Sequence, residues 1–247
     1  MMEKNTKDYV FGTHAVLEAL KAGKSIDKIQ MSREFKSENF HDIRNLARDN
    51  DVIIQRVPVE KINRITRKNH QGIIAWMSPV DFADIEDVLP GIYEKGEEPF
   101  ILILDGVTDV RNFGAMVRTA ECTGVHAIII PDKGAARINA DAMKTSAGAL
   151  NRVPVCKSSV LSGAVKFLKN SGLKVLGITE KGSENIFEQD MKMPIALVMG
   201  SEETGISNQV MKHVDGLVKL PMKGKIASLN VSVAAAVSMY EVLRQRG

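Results

Sequence analysis

The sequence predicts an α/β fold, in which a parallel-sheet domain covered by helices is preceded by a smaller α/β domain. Over residues 101–246, continuous apolar runs of strand length alternate with amphipathic helical patterns. Such runs are typical of parallel strands that are buried on both faces. Over residues 1–77, shorter β-rich runs alternate with helical patterns in the same way. With 44% hydrophobic and 26% charged residues among 247, the composition is that of a globular protein.

Residues 1–77 are predicted to form a small three-layer domain, with helices on both sides of a sheet. Pro58 suits the first turn of the third helix, because the backbone N–H that proline lacks has no helical partner there. The predicted strands cover 26–31, 52–57 and 72–77, and the predicted helices cover 13–22, 39–49 and 58–67.

Residues 78–98 are predicted to be an acidic linker, or a short exposed helix, between the two domains. The stretch 81–98 contains seven acidic residues and one lysine, together with proline and glycine residues that favour turns. On either side the charge balance is basic, +4 over residues 1–80 and +5 over residues 99–247. This distribution is compatible with a polyanionic partner, but many enzymes share it.

Residues 99–247 are predicted to form the larger domain around the parallel sheet. Open parallel sheets bind ligands at the carboxyl ends of their strands. Unusual polar residues follow three of these ends, after Asp105, Gly200 and Pro221. The predicted strands cover 101–105, 126–131, 173–179, 196–200 and 217–221, and the predicted helices cover 112–123, 139–149, 158–170, 203–213 and 228–246.

The sequence lacks the signatures of several classes of protein. Cys122 and Cys156 are the only two cysteines, and their spacing argues against a disulfide framework and a structural zinc site. The glycine-rich dinucleotide and phosphate motifs are absent, as is the serine-hydrolase elbow. No apolar run is long enough to cross a bilayer, and residues 1–12 lack the apolar core of a signal peptide. We therefore expect a cytoplasmic protein without a membrane partner.

The first informative stretch is 104–124, which follows the strand ending at Asp105. Asn112 is predicted as the N-cap of the next helix, and Arg118 lies six residues further on. Spacing alone is compatible with an ordinary cap and a surface arginine. It is also compatible with an amide and a guanidinium that bind a phosphate or a ribose at a helix N-terminus.

The second and third stretches follow two other strand ends. Residues 200–205, GSEETG, form either a capped glycine turn or a backbone platform for a flat ligand, with Glu202 fixing a neighbouring polar group. After the third strand end come a glycine-lysine loop at 223–225, Ser228 as a predicted N-cap, and Asn230. Ordinary helix initiation explains the cap, but it does not explain the polar pair beside the loop.

Taken together and in this order, the three stretches resemble the motifs of the SpoU family of RNA ribose 2′-O-methyltransferases, part of the SPOUT superfamily. The resemblance rests on Asn112, Gly114 and Arg118, on the G-x-E-x-x-G of residues 200–205, and on the S-L-N-V-S-V-A of residues 228–234. It implies an enzyme that methylates the ribose 2′-hydroxyl of a specific guanosine in 23S ribosomal RNA.

The resemblance also implies a trefoil knot that holds S-adenosylmethionine as the methyl donor, without a metal. Arg118 is interpreted as an electrostatic clamp on the RNA, because a guanidinium is a poor proton acceptor. The resemblance assigns the cofactor site to Thr179, Gly200, Leu220 and Leu229, and the catalytic group to Asn112, Arg118, Glu202, Ser228 and Asn230.

The N-terminal domain and the C-terminal helix are the expected contacts with partners. Residues 8–77 are similar to the family's substrate-binding domain, a small module that resembles an RNA-binding ribosomal protein. A homodimer is expected through the catalytic domains, with an apolar face contributed by Val231, Val233, Ala234 and Val237. The candidate ligands of ribosomal RNA phosphates are Arg33, Lys36, Lys61, Arg64 and Lys68, each of which is also compatible with a solvated surface.

Three alternatives stay open from the sequence. The substrate could instead be transfer RNA, or a ribosomal RNA site linked to antibiotic resistance. A catalytically silent RNA-binding or ribosome-assembly factor could use the same scaffold. A metabolic enzyme that binds a small nucleotide is the third alternative, and the added N-terminal domain argues against it.

Overall fold

The computed structural model describes residues 9–50, 52–226 and 228–247. The chain divides into two compact units between Asp81 and Phe82, inside the segment predicted as a linker. Residues 1–8, part of the segment in which the sequence shows no signal-peptide core, lie outside the described residues. No helix in the described ranges is long and apolar enough to span a bilayer.

The first unit is built on a four-stranded mixed sheet. The strand order is β1-β4-β2-β3, with β2 and β3 parallel and the other two pairings antiparallel. The strands are β1 (Tyr9–Phe11), β2 (Ile26–Ser32), β3 (Ile53–Val57) and β4 (Ile73–Met77), and the helices are α1 (Thr13–Lys21), α2 (Phe40–Asp49) and α3 (Val59–Asn63). The sequence predicted all of these elements except the three-residue strand β1.

Helices cover both faces of this sheet, as the predicted three-layer arrangement requires. Successive side chains of a strand point to opposite faces. In β4, Ile73 and Ala75 pack in the cluster that contains the buried side chains of α1 and α2. Ile74 instead packs with Ile62 of α3, and Trp76 borders the same cluster.

The second unit contains a seven-stranded sheet in which every pairing is parallel. The strand order is β7-β6-β5-β10-β8-β11-β9. The strands are β5 (Phe100–Asp105), β6 (Ala127–Pro131), β7 (Val155–Ser158), β8 (Lys174–Ile178), β9 (Glu184–Asn185), β10 (Ile195–Gly200) and β11 (Gly216–Lys219). The predicted fold class, α/β with a parallel sheet, is therefore confirmed. The edge strands β7 and β9 were not predicted, because both are short and carry few apolar residues.

Two helical layers enclose the second sheet. One layer packs on Ile101, Ile103 and Val198, and it consists of α4, α7 and α8. On the other side α9 contacts β10, and α5 contacts both α9 and α6. The helices are α4 (Ile85–Glu94), α5 (Val110–Cys122), α6 (Ala140–Thr145), α7 (Leu161–Asn170), α8 (Asn208–Met211) and α9 (Val231–Arg246).

The segment 78–98, predicted to be an acidic linker or a short exposed helix, contains the helix α4, but the apolar face of that helix is buried. Its Ile85, Leu89 and Ile92 are 2–6% exposed and belong to the core of the second unit. The composition of the segment did not reveal these three apolar residues, which are spaced four and three positions apart, because acidic residues dominate it. The Asp84 carboxylate caps the helix by accepting a hydrogen bond from the Glu86 N–H at 2.9 Å.

Candidate active site

Two adjacent cavities lie where strands of the larger sheet end. The first cavity, of about 310 Å³, lies at the carboxyl ends of β8, β10 and β11 and beside the start of α9. The second cavity, of about 350 Å³, lies between the segments that follow β5 and β10. Ser201, Glu202 and Val231 line both cavities. This position agrees with the general rule for ligand sites in open parallel sheets.

The structure brings seven of the nine predicted catalytic and cofactor-binding residues to the first cavity. Glu202 lines both cavities, Asn112 lines the second, and Arg118 lines neither. The predicted residues that line the first cavity are Thr179, Gly200, Leu220, Leu229, Glu202, Ser228 and Asn230.

A closed five-residue turn presents Glu202 at the junction of the cavities. Ser201 and Gly205 pair through two backbone hydrogen bonds of 3.2 and 3.0 Å. The Ser201 hydroxyl also accepts a hydrogen bond from the Thr204 N–H at 3.0 Å. The helix predicted over 203–213 is therefore shorter in the structure. Residues up to Gly205 belong to the turn, and the helix α8 covers only Asn208–Met211.

Glycines let this turn pack closely against the end of β10. A Cβ atom at Gly200 would collide with the backbone of Gly205 and Ile206. Gly205 itself has φ +69°, a conformation that other residues rarely adopt. The G-x-E-x-x-G spacing thus reflects a steric requirement of the turn that holds Glu202.

Three side chains from three separate segments form one hydrogen-bonded network. The Asn112 amide donates to Oε1 of Glu202 at 3.0 Å, and the Asn230 amide donates to the same oxygen at 2.6 Å. The Asn230 amide also donates to Oδ1 of Asn112 at 3.2 Å. Asn112 is half-buried, whereas Glu202 and Asn230 are exposed, so the network lies at a surface that a ligand can reach.

Ser232 determines the orientation of the Asn230 amide. Its backbone N–H and its hydroxyl lie 2.9 and 2.6 Å from Oδ1 of Asn230. Because a backbone N–H can only donate, Oδ1 of Asn230 must be the acceptor, and its amino group must face Glu202 and Asn112. Ser232 is a residue of the site that the sequence interpretation missed, although it stands within the quoted S-L-N-V-S motif.

Both predicted helix caps are shifted by two or three residues. The N-cap of α5 is Asp109, whose carboxylate accepts from the N–H groups of Arg111 and Asn112 at 2.8 Å each. The N-cap of α9 is Asn230 rather than Ser228. Asn112 and Ser228 are therefore released from capping. Asp, Asn and Ser cap helices comparably well, so residue type could not distinguish the candidates.

Arg118 is the one predicted catalytic residue that the structure does not bring to the others. Six residues of α-helix correspond to about 600° of rotation, which leaves Arg118 and Asn112 about 120° apart around the axis and so on different faces of the helix. Arg118 is exposed, and its side chain makes no hydrogen bond or ion pair with any described residue.

Other residues at the same strand ends were not predicted. Glu180 follows β8, Ser201 follows β10, and Met222 follows β11, and all three line the first cavity. Asp105 at the end of β5 accepts a hydrogen bond from the Ser207 N–H at 2.7 Å. This bond connects the end of β5 to the segment that follows β10. In the sequence, the signal that could have identified these residues was their position at or just after the end of an apolar run.

Among the described residues, neither cavity is lined by a cysteine or by a group of side chains that could hold a metal ion. Across the ranges that the structure describes, no group of three or more His, Cys, Asp and Glu side chains could hold a metal ion. Burial and, to a smaller extent, the charge of Asp84 raise the pKa of the Cys156 thiol to about 11. The thiol is therefore protonated at neutral pH and is a poor nucleophile.

The five predicted RNA-binding residues all lie exposed in the first unit. Arg33 and Lys36 follow β2, while Lys61 and Arg64 belong to α3 and its C-cap, after β3. Since β2 and β3 are parallel, these four residues lie at the same edge of the sheet. Lys68 lies in the loop before β4. None of the five side chains forms an ion pair with another described residue.

Two family models match the chain. The SpoU rRNA Methylase family matches residues 99–240, which is more than half of the chain. The chain belongs to this family. A second model, described as RNA 2′-O ribose methyltransferase substrate binding, matches residues 9–83 and covers the first unit.

A relative of similar length agrees with this membership. The chain is 37% identical over 239 residues to YacO of Bacillus subtilis (strain 168), which is named for the TrmH family of tRNA/rRNA methyltransferases. That match covers 97% of the chain and 96% of the relative. The predicted SpoU resemblance and the predicted class, an RNA methyltransferase, are confirmed.

Two solved structures share the fold. An AdoMet-bound rRNA methyltransferase from Sinorhizobium meliloti gives a TM-score of 0.61 at 21% identity, covering 96% of this chain and 87% of that one. The SpoU methyltransferase AviRb from Streptomyces viridochromogenes, in complex with AdoMet, gives 0.60 at 24% identity, with 96% and 90% covered.

Proposed function

We propose that this protein transfers a methyl group from S-adenosylmethionine to the ribose 2′-hydroxyl of a specific guanosine in 23S ribosomal RNA. The observation that carries this proposal is the network of Asn112, Glu202 and Asn230 at the junction of two cavities. A transfer reaction needs donor and acceptor sites that meet, and holding reactants at near-attack distance can supply about 7–11 kcal/mol in favourable cases.

The first cavity fits the methyl donor in size and chemistry. Its 310 Å³ lies within the range of small-molecule pockets, about 300–1,000 Å³. Apolar side chains such as Met199 and Leu229 can pack on an adenine, while Thr179 and Glu180 offer polar groups to a ribose or an amino acid moiety. When bound, S-adenosylmethionine supplies an electrophilic methyl group on a sulfonium. We assign its binding to Thr179, Gly200, Leu220 and Leu229.

The second cavity and the exposed Arg118 are proposed to hold the acceptor. Asn112 would orient the ribose, because its amide lines the second cavity next to Glu202. Arg118 has no partner among the described residues, so its guanidinium is free to bind an RNA phosphate bidentately. Ser228 and Asn230 would order the loop beside the donor.

The first unit is proposed to bind the RNA. Its family match is to a substrate-binding domain, and its unpaired basic residues can neutralise backbone phosphates. The residues that we assign to this contact are Arg33, Lys36, Lys61, Arg64 and Lys68. We propose the same division of roles as the sequence predicted, with RNA binding in residues 1–77 and methyl transfer in residues 99–247.

We also propose that the protein is a cytoplasmic homodimer and that its second unit is knotted. Support for the dimer comes from α9. Its Val233, Val237 and Tyr240 lie on one face of the helix and are 36–52% exposed. Val231, which the sequence grouped with this face, is instead 7% exposed and lines both cavities.

A transfer RNA substrate is the second candidate. The name of the Bacillus subtilis relative covers both tRNA and rRNA methyltransferases. To separate the candidates, we would incubate the protein with labelled S-adenosylmethionine and either ribosomal or transfer RNA, and then map the modified nucleotide. We expect one 2′-O-methylguanosine in 23S RNA. Label only in transfer RNA would favour the second candidate, and label in neither pool would contradict the proposal.

Donor binding should not require a metal ion. The described lining of the first cavity has two carboxylates, Glu180 and Glu202, and neither a His nor a Cys, so it offers fewer than the three ligands of a metal site, and we expect S-adenosylmethionine to bind in EDTA with a dissociation constant on the order of micromolar. Isothermal titration calorimetry measures this directly. Binding that is absent in EDTA and restored by a divalent ion would contradict the proposed site.

A further inference from the structure

One step of the proposed reaction has no residue assigned to it, namely removal of the proton from the ribose hydroxyl. A guanidinium is protonated at all ordinary pH values, so Arg118 does not fill this role. A general base must lie within about 2.6–3.2 Å of the proton that it takes, or reach it through one water. The candidate must therefore lie where the donor and acceptor cavities meet.

We propose that Glu202 is this proton acceptor and that it acts through Oε2, an inference that rests on the proposed function. Among the described residues that line both cavities, Glu202 is the only one with an ionisable side chain. Its Oε1 accepts hydrogen bonds from the amides of Asn112 and Asn230. No described residue donates to Oε2, so this oxygen is the one open to a bound hydroxyl.

The hydrogen-bond network fixes which carboxylate oxygen stays open. Ser232 orients the Asn230 amide, and that amide in turn donates to both Asn112 and Glu202. Both amino groups therefore converge on Oε1. A carboxylate held through one oxygen presents the other in a defined direction, which is the preorganisation that a general base requires.

The charges around Glu202 leave Oε2 without a competing cation. The other charged side chains that line the two cavities are Glu180, Asp109 and Glu203, and all three are acidic. Neither cavity has a lysine or an arginine among its described lining residues. Glu202 is therefore not neutralised by an ion pair within this site.

The proposed step balances in atoms and electrons. The ribose O–H bond breaks and its proton passes to Oε2 of Glu202, while the ribose oxygen forms a bond to the methyl carbon. The bond between that carbon and the sulfonium sulfur breaks, and its electron pair stays on sulfur, which becomes a neutral thioether. The carboxylic acid of Glu202 then returns the proton to water.

The decisive variant is Glu202→Gln. Glutamine keeps an oxygen that can accept from both Asn112 and Asn230 but lacks a basic second oxygen. At saturating S-adenosylmethionine and RNA, we expect the single-turnover methylation rate to fall by about 10²–10⁴-fold, the usual contribution of a general base. The donor's dissociation constant and the melting temperature should stay near those of the wild type. Glu188→Gln, at an exposed position outside both cavities, is the matched control.

A second variant keeps the inference testable if glutamine disturbs the site. Glu202→Ala should be slow, and added formate should restore part of its rate by supplying a carboxylate in the vacated space. A Glu202→Gln rate close to wild type, or an alanine variant that formate does not rescue, would overturn the role as a base. Loss of donor binding in Glu202→Gln would also overturn it, in favour of a structural role. A wild-type protein that methylates no RNA would contradict the proposed function instead.

Discussion

Arg118→Ala is expected to lower the methylation rate by at least about 10²-fold while leaving S-adenosylmethionine binding unchanged. The size of the effect follows from losing one preorganised stabiliser of a charged transition state, which typically costs about 10²–10³-fold. Donor binding should not change, because Arg118 lies outside the first cavity and makes no hydrogen bond or ion pair with any described residue of its lining. Single-turnover kinetics and calorimetry on the same preparations measure the two quantities separately.

The matched control for this variant is Arg111→Ala. Arg111 is also an exposed arginine of α5, and only its backbone N–H takes part in the Asp109 cap. Removing its side chain changes the net charge by the same amount, so it corrects for a general loss of attraction to RNA. If Arg118→Ala and Arg111→Ala slow methylation equally, Arg118 has no specific role and is an ordinary surface residue.

The sequence predicted the central sheet well because parallel strands buried on both faces leave an unmistakable apolar run. Ile101–Leu104 of β5 is 0–1% exposed, and no polar residue interrupts it. The same logic failed at β9, which has two residues, and at β7, where Lys157 is exposed and Ser158 is half-buried. Edge strands are covered on fewer sides and so lack the pattern.

The candidate site shows a different limit of sequence reasoning. Motif spacing singled out Asn112, Glu202 and Asn230, yet it could not show that their side chains meet. Their contacts span 90 and 118 positions of sequence, and they depend on the strand order that places β5 beside β10. Ser232 was missed for a related reason, since a serine two residues after an N-cap is unremarkable until the orientation of the amide is known.

Two fragments of the second unit are expected to behave very differently. A fragment of residues 82–247 retains α4 and should fold and bind S-adenosylmethionine. A fragment of residues 97–247 loses Ile85, Leu89 and Ile92 from the core. Burying each such side chain contributes about 1.5–3 kcal/mol. The combined loss is comparable with the whole free energy of unfolding of a typical domain, about 5–15 kcal/mol.

The shorter fragment also loses a backbone contact at the sheet edge. The Ala83 N–H donates to the Val155 carbonyl at 3.0 Å, so residues before α4 extend the pairing of β7. We therefore expect 97–247 to unfold at a much lower urea concentration than 82–247, as followed by circular dichroism. Equal stability of the two fragments would contradict the assignment of α4 to the core of the second unit.

The 82–247 fragment then tests the proposed role of the first unit. It lacks the basic residues of residues 9–81, so fewer RNA phosphates are neutralised and the dependence of RNA affinity on salt should flatten. We expect 82–247 to stay dimeric in light scattering and to bind the donor as the full chain does, because both properties are assigned to the second unit. RNA titrations at two salt concentrations give the slope. A fragment that methylates the native site as fast and as selectively as the full chain would show that the first unit does not direct the enzyme to its RNA.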